Sequence, residues 1–269
     1  MKKLSFLLLI LVLGLINTAY SQPKFTITLT GGYGVPLGDF KVAVPPTSPL
    51  TETNRADADF FPYYTKQLIN FGLDGKLAIG KKGNFRVTFG VGYNMFSNST
   101  DAVFRIDTNN TLGVITFKPK VNIITLALGG EWAFMPKGKI NPYVGVGMTG
   151  NFFGGKFEFS QPVKVKGLMR PESMDMKSET RIGVQLNAGL DFKLSKQFGA
   201  NVGVKYHIIN ILGKGADNEA EVGPNEIDLG DKTHTMDDGT ISPDKTLSSF
   251  LGYVGVSFYF GAPKTTVKK

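Results

Sequence analysis

Apolar and polar residues alternate along this chain with a period of two. In the first such stretch Phe25, Ile27, Leu29, Gly31, Tyr33, Val35 and Leu37 fall on one side, against Thr26, Thr28, Thr30, Gly32 and Gly34. A helix would bring its apolar residues round every three to four positions, so this pattern predicts an extended strand with unlike faces. It returns at residues 69–79, 85–95, 124–134, 143–152, 182–194, 201–208 and 250–260, which makes eight predicted strands. In the fourth the phase slips near Ile123, and a β-bulge is expected there.

The connections alternate in length. "GKKGN", "MPKGKINP" and "SKQ" are of hairpin size, whereas residues 39–65, 97–112, 155–179 and 214–246 form long connections. Tight turns at one rim and long loops at the other, with an even strand count, predict an all-β, closed up-and-down antiparallel transmembrane barrel of eight strands. Both chain ends then lie at the short-turn rim. "AVFRID" and "TLGVITF" read as a hairpin turning at residues 108–110, and "KFEFS" and "VKVKG" as extensions of the fifth and sixth strands, so ten strands is the other count.

Alternation also fits a soluble lipocalin-like barrel, which would put its apolar face inward around a ligand and wet its outer face. The polar face here is mostly Gly, Thr and Asn with one or two charges per strand, thin for a solvated surface and ample for a narrow lumen. The apolar face carries Val, Ile, Leu and Phe in every strand. Tyr93, Trp132, Phe134, Phe192, Phe198, Phe258 and Phe260 stand near strand ends, as interfacial girdles require. Composition agrees: 33 glycines, 12% aromatics and no cysteine suit many short extended segments and leave no disulfide to brace them.

The first residues read as a processing signal. Lys2 and Lys3 precede an apolar run over residues 4–16, and Ala19 and Ser21 are placed for cleavage before Gln22. The run is too short to span a bilayer as a helix. The expected division is a signal peptide over residues 1–21, a barrel over 22–260 and a basic periplasmic tail over 261–269.

With the last strand ending "GVSFYF", these features resemble the small outer-membrane β-barrel proteins of the OmpA/OmpX type, without a peptidoglycan-binding domain. The resemblance implies residence in a Gram-negative outer membrane, with long loops extracellular and short turns and both termini periplasmic. It also implies that Val254, Val256, Phe258 and Phe260 form the terminal-strand signal read by the barrel-assembly machinery. Family members often stop at the final aromatic, whereas this chain continues for nine residues after Phe260.

Candidate chemistry is sparse. Asp74, Lys76, Arg86, Glu131, Asp191, Lys193 and Lys205 all fall on the polar face, and unpaired charge in a narrow bore is costly, so they are expected to form a closing charge network. No Ser lies on His207's strand and "HIIN" carries no catalytic pattern, so His207 is read as structural. Gly145, Gly147 and Gly150 spell GxGxxG, but an extended run follows where a dinucleotide site needs a helix.

The last long connection holds Asp217, Glu219, Glu221, Glu226, Asp228, Asp231, Asp237, Asp238 and Asp244 without the spacing of a calcium loop, and reads as a solvated, mobile loop. Lys81, Lys82, Lys137, Lys139, Lys196, Lys264, Lys268 and Lys269 gather at the opposite rim, suited to anionic headgroups, and account for much of the net charge of +8 without nucleic acid.

The expectation is a monomeric, non-enzymatic barrel with no cofactor or metal, its partners being outer-membrane lipid, the assembly machinery and an envelope protein. Its role would be structural, adhesive or partner-binding through the long loops. A narrow pore or a passage for hydrophobic solutes is the alternative within this architecture. A lipid-modifying enzyme and a soluble binding barrel are the alternatives outside it.

Overall fold

The computed structural model describes residues 23–41, 63, 65–80, 82–105, 111–165, 168–215, 223, 225–235 and 241–261. The signal-peptide region, most of the first long connection, Lys81 and the tail with Lys264, Lys268 and Lys269 lie outside the described residues.

Eight long strands carry the fold: β1 (Phe25–Gly38), β2 (Gln67–Ile79), β3 (Phe85–Ser97), β5 (Leu112–Ala133), β6 (Ile140–Phe159), β9 (Ser173–Lys193), β10 (Phe198–Leu212) and β14 (Leu247–Phe260). Six short ones lie in the long connections: β4 (Thr100–Arg105), β7 (Val163–Val165), β8 (Leu168–Arg170), β11 (Glu226–Ile227), β12 (His234–Thr235) and β13 (Ile241–Ser242). The long strands pair antiparallel in the order β1-β2-β3-β5-β6-β9-β10-β14, and β14 returns to β1 with Phe260 opposite Phe25 and Leu247 opposite Gly38. The ring is closed and has eight members. Closure leaves no unpaired strand edge in the hydrocarbon, where each unsatisfied backbone group would cost several kcal/mol.

The apolar face looks outward, as the alternation requires. Leu29, Leu128 and Val254 are each more than 60% exposed, whereas Thr28, Glu131 and Ser257 on the other face are at most 1% exposed. Phe85, Trp132, Phe198, Phe258 and Phe260 ring the outside near the short turns, and Tyr33, Tyr93, Phe152 and Phe250 ring it toward the other end. On β14, Phe250 to Phe260 spans about 34 Å of strand, or about 26 Å of height at a tilt of about 40°. That matches the apolar band of a bilayer.

The tight turns behave as their residues demand: Gly80 and Gly83 take positive φ of 75° and 64° between β2 and β3, a conformation that side chains with a Cβ rarely adopt. Ser195 Oγ accepts from the Gln197 and Phe198 amides between β9 and β10.

No bulge occurs at Ile123. β5 keeps one register with β3 and β6 through that residue, and Ile123 points into the barrel. The phase slipped in the sequence because Val121 and Ile123 are apolar residues on the inner face. The irregularities lie elsewhere, where β6 and β9 shift register between Phe153 and Gly155, and where β10 and β9 shift between Ile208 and Leu212.

Beyond the apolar band the wall rises on one side. β4 folds back on β5 through six register pairs, and the β7–β8 hairpin joins it at Arg105 and Lys164. The extra segments therefore project above the ring, which has the expected eight strands and not the alternative ten.

Candidate functional site

Three tiers of side chains fill the interior. The first lies near the short turns and is built on charge. Lys76 Nζ stands 3.1 Å from Glu131 and 3.2 Å from Asp191, and Arg86 binds both carboxylates, Asp191 at 2.8 Å. β2 and β9 are four places apart in an eight-membered ring, so Lys76 and Asp191 meet across the bore. Two cations and two anions make a neutral quartet, which is the arrangement that lets charge persist away from water. Asn141 and Asn201 donate to Asp191 at 3.1 and 2.6 Å, Tyr143 and Tyr253 join hydroxyls at 2.7 Å, and Lys76 lies 3.8 Å from the centre of the Tyr143 ring.

Glycine makes room for these phenols. A Cβ on Gly203 would stand 2.6 Å from the Tyr253 hydroxyl, and one on Gly189 would stand 2.5 Å from that of Tyr143. A recess of about 40 Å³ below the quartet is lined by Lys76, Arg86, Asp191, Lys193 and Tyr259, enough for a water or two and too small for a conduit.

The second tier is an uncharged hydrogen-bonded arc. Asn70 donates to Asn94 at 2.7 Å, Asn94 to Thr125 at 3.0 Å, Thr125 to Asn151 at 2.9 Å and Asn151 to Thr149 at 3.0 Å. The Thr149 hydroxyl meets His207 Nε2 at 2.9 Å, ending the arc. Ser249 lies opposite His207 in register, but the His207 contact is with Thr149.

The third tier, toward the long connections, is apolar. Leu68, Phe96, Val121, Ile123, Phe153, Phe157, Met174, Ile209 and Leu251 turn inward and are at most 4% exposed. Phe40 and Tyr63 from the first long connection cap them, with Phe40 stacked on Phe96 at 4.6 Å. The polar inner face thus belongs to the lower barrel; above it the inner face is apolar, even where the outer face gives way to Lys120 and Lys156.

A polar clamp closes this cap. Asp231, in the last long connection, is fully buried: Arg181 grips it at 2.8–3.1 Å, and Asn210 and the Gly215 amide donate to it at 2.7 and 2.9 Å. Glu179 pairs with Arg181 and accepts from the Leu229 amide at 2.8 Å, and the Tyr63 hydroxyl donates to the Leu229 carbonyl. Burial, then the Asp231 and Glu179 carboxylates, push the Tyr63 phenol well above its ordinary range. Further along, the Thr233 amide and hydroxyl donate to Asp244 and hold its carboxyl below its ordinary value. The last connection is therefore not simply a solvated loop: residues 227–231 are tied down over the mouth.

Of the seven charged residues expected to form the bore network, four come together. Asp74, Lys193 and Lys205 share the inner face but make no ion pair among the described residues; Lys205 lies 5.4 Å from the Tyr253 ring centre. The asparagine arc and the Arg181–Asp231 clamp were not singled out by sequence. The arc had a signal, since Asn70, Asn94 and Asn151 alternate with apolar residues; the clamp had none. Val254, Val256, Phe258 and Phe260 face outward on β14 as expected. Gly145 and Gly147 lie on the inner face of β6 and Gly150 on the outer, within one continuous strand.

Solved structures with a similar course include Neisserial surface protein A, with 13% identity over 88% of this chain and 97% of that one and a TM-score of 0.44. The attachment invasion locus protein Ail of Yersinia pestis has 10% identity over 89% and 99%, with a TM-score of 0.41. OprG of Pseudomonas aeruginosa has 12% identity over 90% and 99%, also with a TM-score of 0.41. No curated protein gave a match. The outer membrane protein beta-barrel domain model matches residues 5–235, and the chain belongs to that family, as an integral outer-membrane β-barrel protein.

Proposed function

We propose that this barrel works through the surface built by its long connections and not by conducting solutes or by catalysis. The observation that carries the reading is the filled interior: a neutral charge quartet, an asparagine arc and an apolar plug lie in series along the bore. A protein whose lumen is packed in three tiers has its outer faces and its projecting β4–β8 wall left with which to act. Its long connections face the cell exterior, its short turns face the periplasm, and its role is structural, adhesive or partner-binding.

The chain has no cysteine, so a single introduced one reports topology. A membrane-impermeant maleimide should label Thr100→Cys on intact cells and Lys137→Cys only after lysis; the reverse pattern would overturn the orientation. A protein partner should be retained when the barrel is extracted in mild detergent, and lost when the β7–β8 hairpin is replaced by a short turn.

One observation favours a second reading. The apolar third tier would suit passage of a hydrophobic solute if the Arg181–Asp231 clamp opened. Uptake of a hydrophobic probe into proteoliposomes that rises with Arg181→Ala would support it.

A further inference from the structure

Above the outward apolar band, the wall carries a row of lysines in register. Ser97 of β3 pairs with Lys120 of β5, Lys120 with Lys156 of β6, and Lys156 with Asp175 of β9. One step further from the band, Lys118 pairs with Glu158. Lys118, Lys120 and Lys156 are all exposed on the lipid-facing side of the wall.

Lys120 directly opposite Lys156 is a like-charge cross-strand pair, an arrangement that is destabilising unless an anion relieves it. Glu158 supplies part of that relief, with both carboxylate oxygens 3.2 Å from Lys120 Nζ. Among the described residues, its choice of Lys120 leaves Lys118, its own register partner, without an acid, and Lys156 makes no ion pair, with Asp175 or any other. Two cations therefore flank the Lys120–Glu158 pair.

Their height identifies the anion. Ile124 and Phe152 pair at the upper edge of the apolar band. Lys120 is four residues above Ile124, about 13 Å along the strand and about 10 Å along the membrane normal. The headgroup layer is about 6 Å deep on each side, and a lysine stem lies back along apolar surface toward it. The row is thus continuous with the lipid interface and opposite in charge to a lipid phosphate.

We infer that Lys118, Lys120 and Lys156 hold a phosphate of an outer-leaflet lipid against the β5–β6 wall. The leaflet rests on the orientation proposed above; the binding site itself does not. A lysine near a charged headgroup contributes about a five-fold factor in affinity, so the three together contribute on the order of a hundred-fold.

The test uses the full-length barrel in detergent with lipid A, a bisphosphorylated glycolipid, and with the same lipid stripped of its phosphates. The Lys118→Gln, Lys120→Gln, Lys156→Gln triple variant should lose on the order of a hundred-fold in affinity for lipid A. A Lys82→Gln, Lys137→Gln, Lys139→Gln control at the opposite rim should keep it, and the stripped lipid should bind the parent weakly. Glu158→Gln, which frees Lys120, should bind lipid A about five-fold more tightly and decides the matter if the triple variant does not fold. Unchanged affinity in the triple variant, equal binding of the stripped lipid, displacement by inorganic phosphate at equal concentration, or weaker binding by Glu158→Gln would each overturn the assignment. Because no membrane sidedness enters the measurement, these results are independent of the cell-labelling result.

Discussion

Lys76 on β2 and Asp191 on β9 meet at 3.2 Å across the bore of the barrel. Neither strand touches the other, so this contact is made by side chains reaching over the lumen. With Arg86 and Glu131 it turns four isolated charges into one neutral plug. Removing one member leaves an uncompensated buried charge. Glu131→Ala is therefore expected to destabilise the barrel by about 3 kcal/mol, read as a lower urea midpoint for loss of the compact gel band. A midpoint equal to the parent's would contradict a paired, desolvated quartet.

The clamp over the mouth should fail separately. Arg181→Ala strands the buried Asp231 carboxylate, also at a cost of about 3 kcal/mol. Much of that cost would appear as local opening of residues 227–231, because the ring below is closed independently. Limited proteolysis of the folded variant should then cut in the last long connection while the barrel band survives.

Raising the pH should loosen the same cap. Tyr63 is held neutral in the fold, with its phenol pushed upward by burial first and by neighbouring carboxylates second. Its contribution is complete below the unfolded value of about 10 and is lost as pH climbs through the higher folded value. Protease access to residues 227–231 should rise only above about pH 10, and Tyr63→Phe, which has no phenol proton to lose, should weaken that dependence.

Space in the lower lumen is as constrained as charge. Gly203→Val would push its side chain toward the Tyr253 hydroxyl and, at 2.7 Å for the first carbon alone, the Ala188 carbonyl. A cost of about 1–3 kcal/mol is expected, visible as a lower thermal midpoint for gel-shift unfolding. Gly80→Val, where a Cβ meets nothing but the backbone has positive φ, should act through turn strain instead and leave the lumen intact.

Much of this architecture was legible because lipid enforces a simple code. On β1, β3 and β14 every second residue meets hydrocarbon, and Leu29, Phe89 and Val256 could be assigned outward from alternation alone. The code fails where the interior is also apolar: Ile123 and Phe153 face inward yet match their outward neighbours Ile124 and Phe152 in hydropathy, so the phase appeared to slip at Ile123. The charged lumen residues were assigned to the correct face, but partnership depends on height after ring closure. Arg86 and Glu131 are in direct register, whereas Asp74 and Lys205 lie further up the bore. The Arg181–Asp231 contact joins a strand to a loop fifty residues away, with no local pattern to announce it.

Phe260 offers a further test, in the cell. Phe258 and Phe260 face lipid on the strand that seals the ring, and a terminal aromatic there is the expected handle for assembly. Phe260→Ala should lower the amount of folded barrel in the outer membrane while leaving the thermal midpoint of the purified protein close to the parent's. A large fall in that midpoint would assign Phe260 to packing instead.

The central claim, a barrel sealed along its length, is tested most directly by single-channel recording of the purified protein in a planar bilayer. The three-tier interior predicts no steady open state, only baseline current with rare, brief events. A steady, large conductance from the unmodified protein would contradict it.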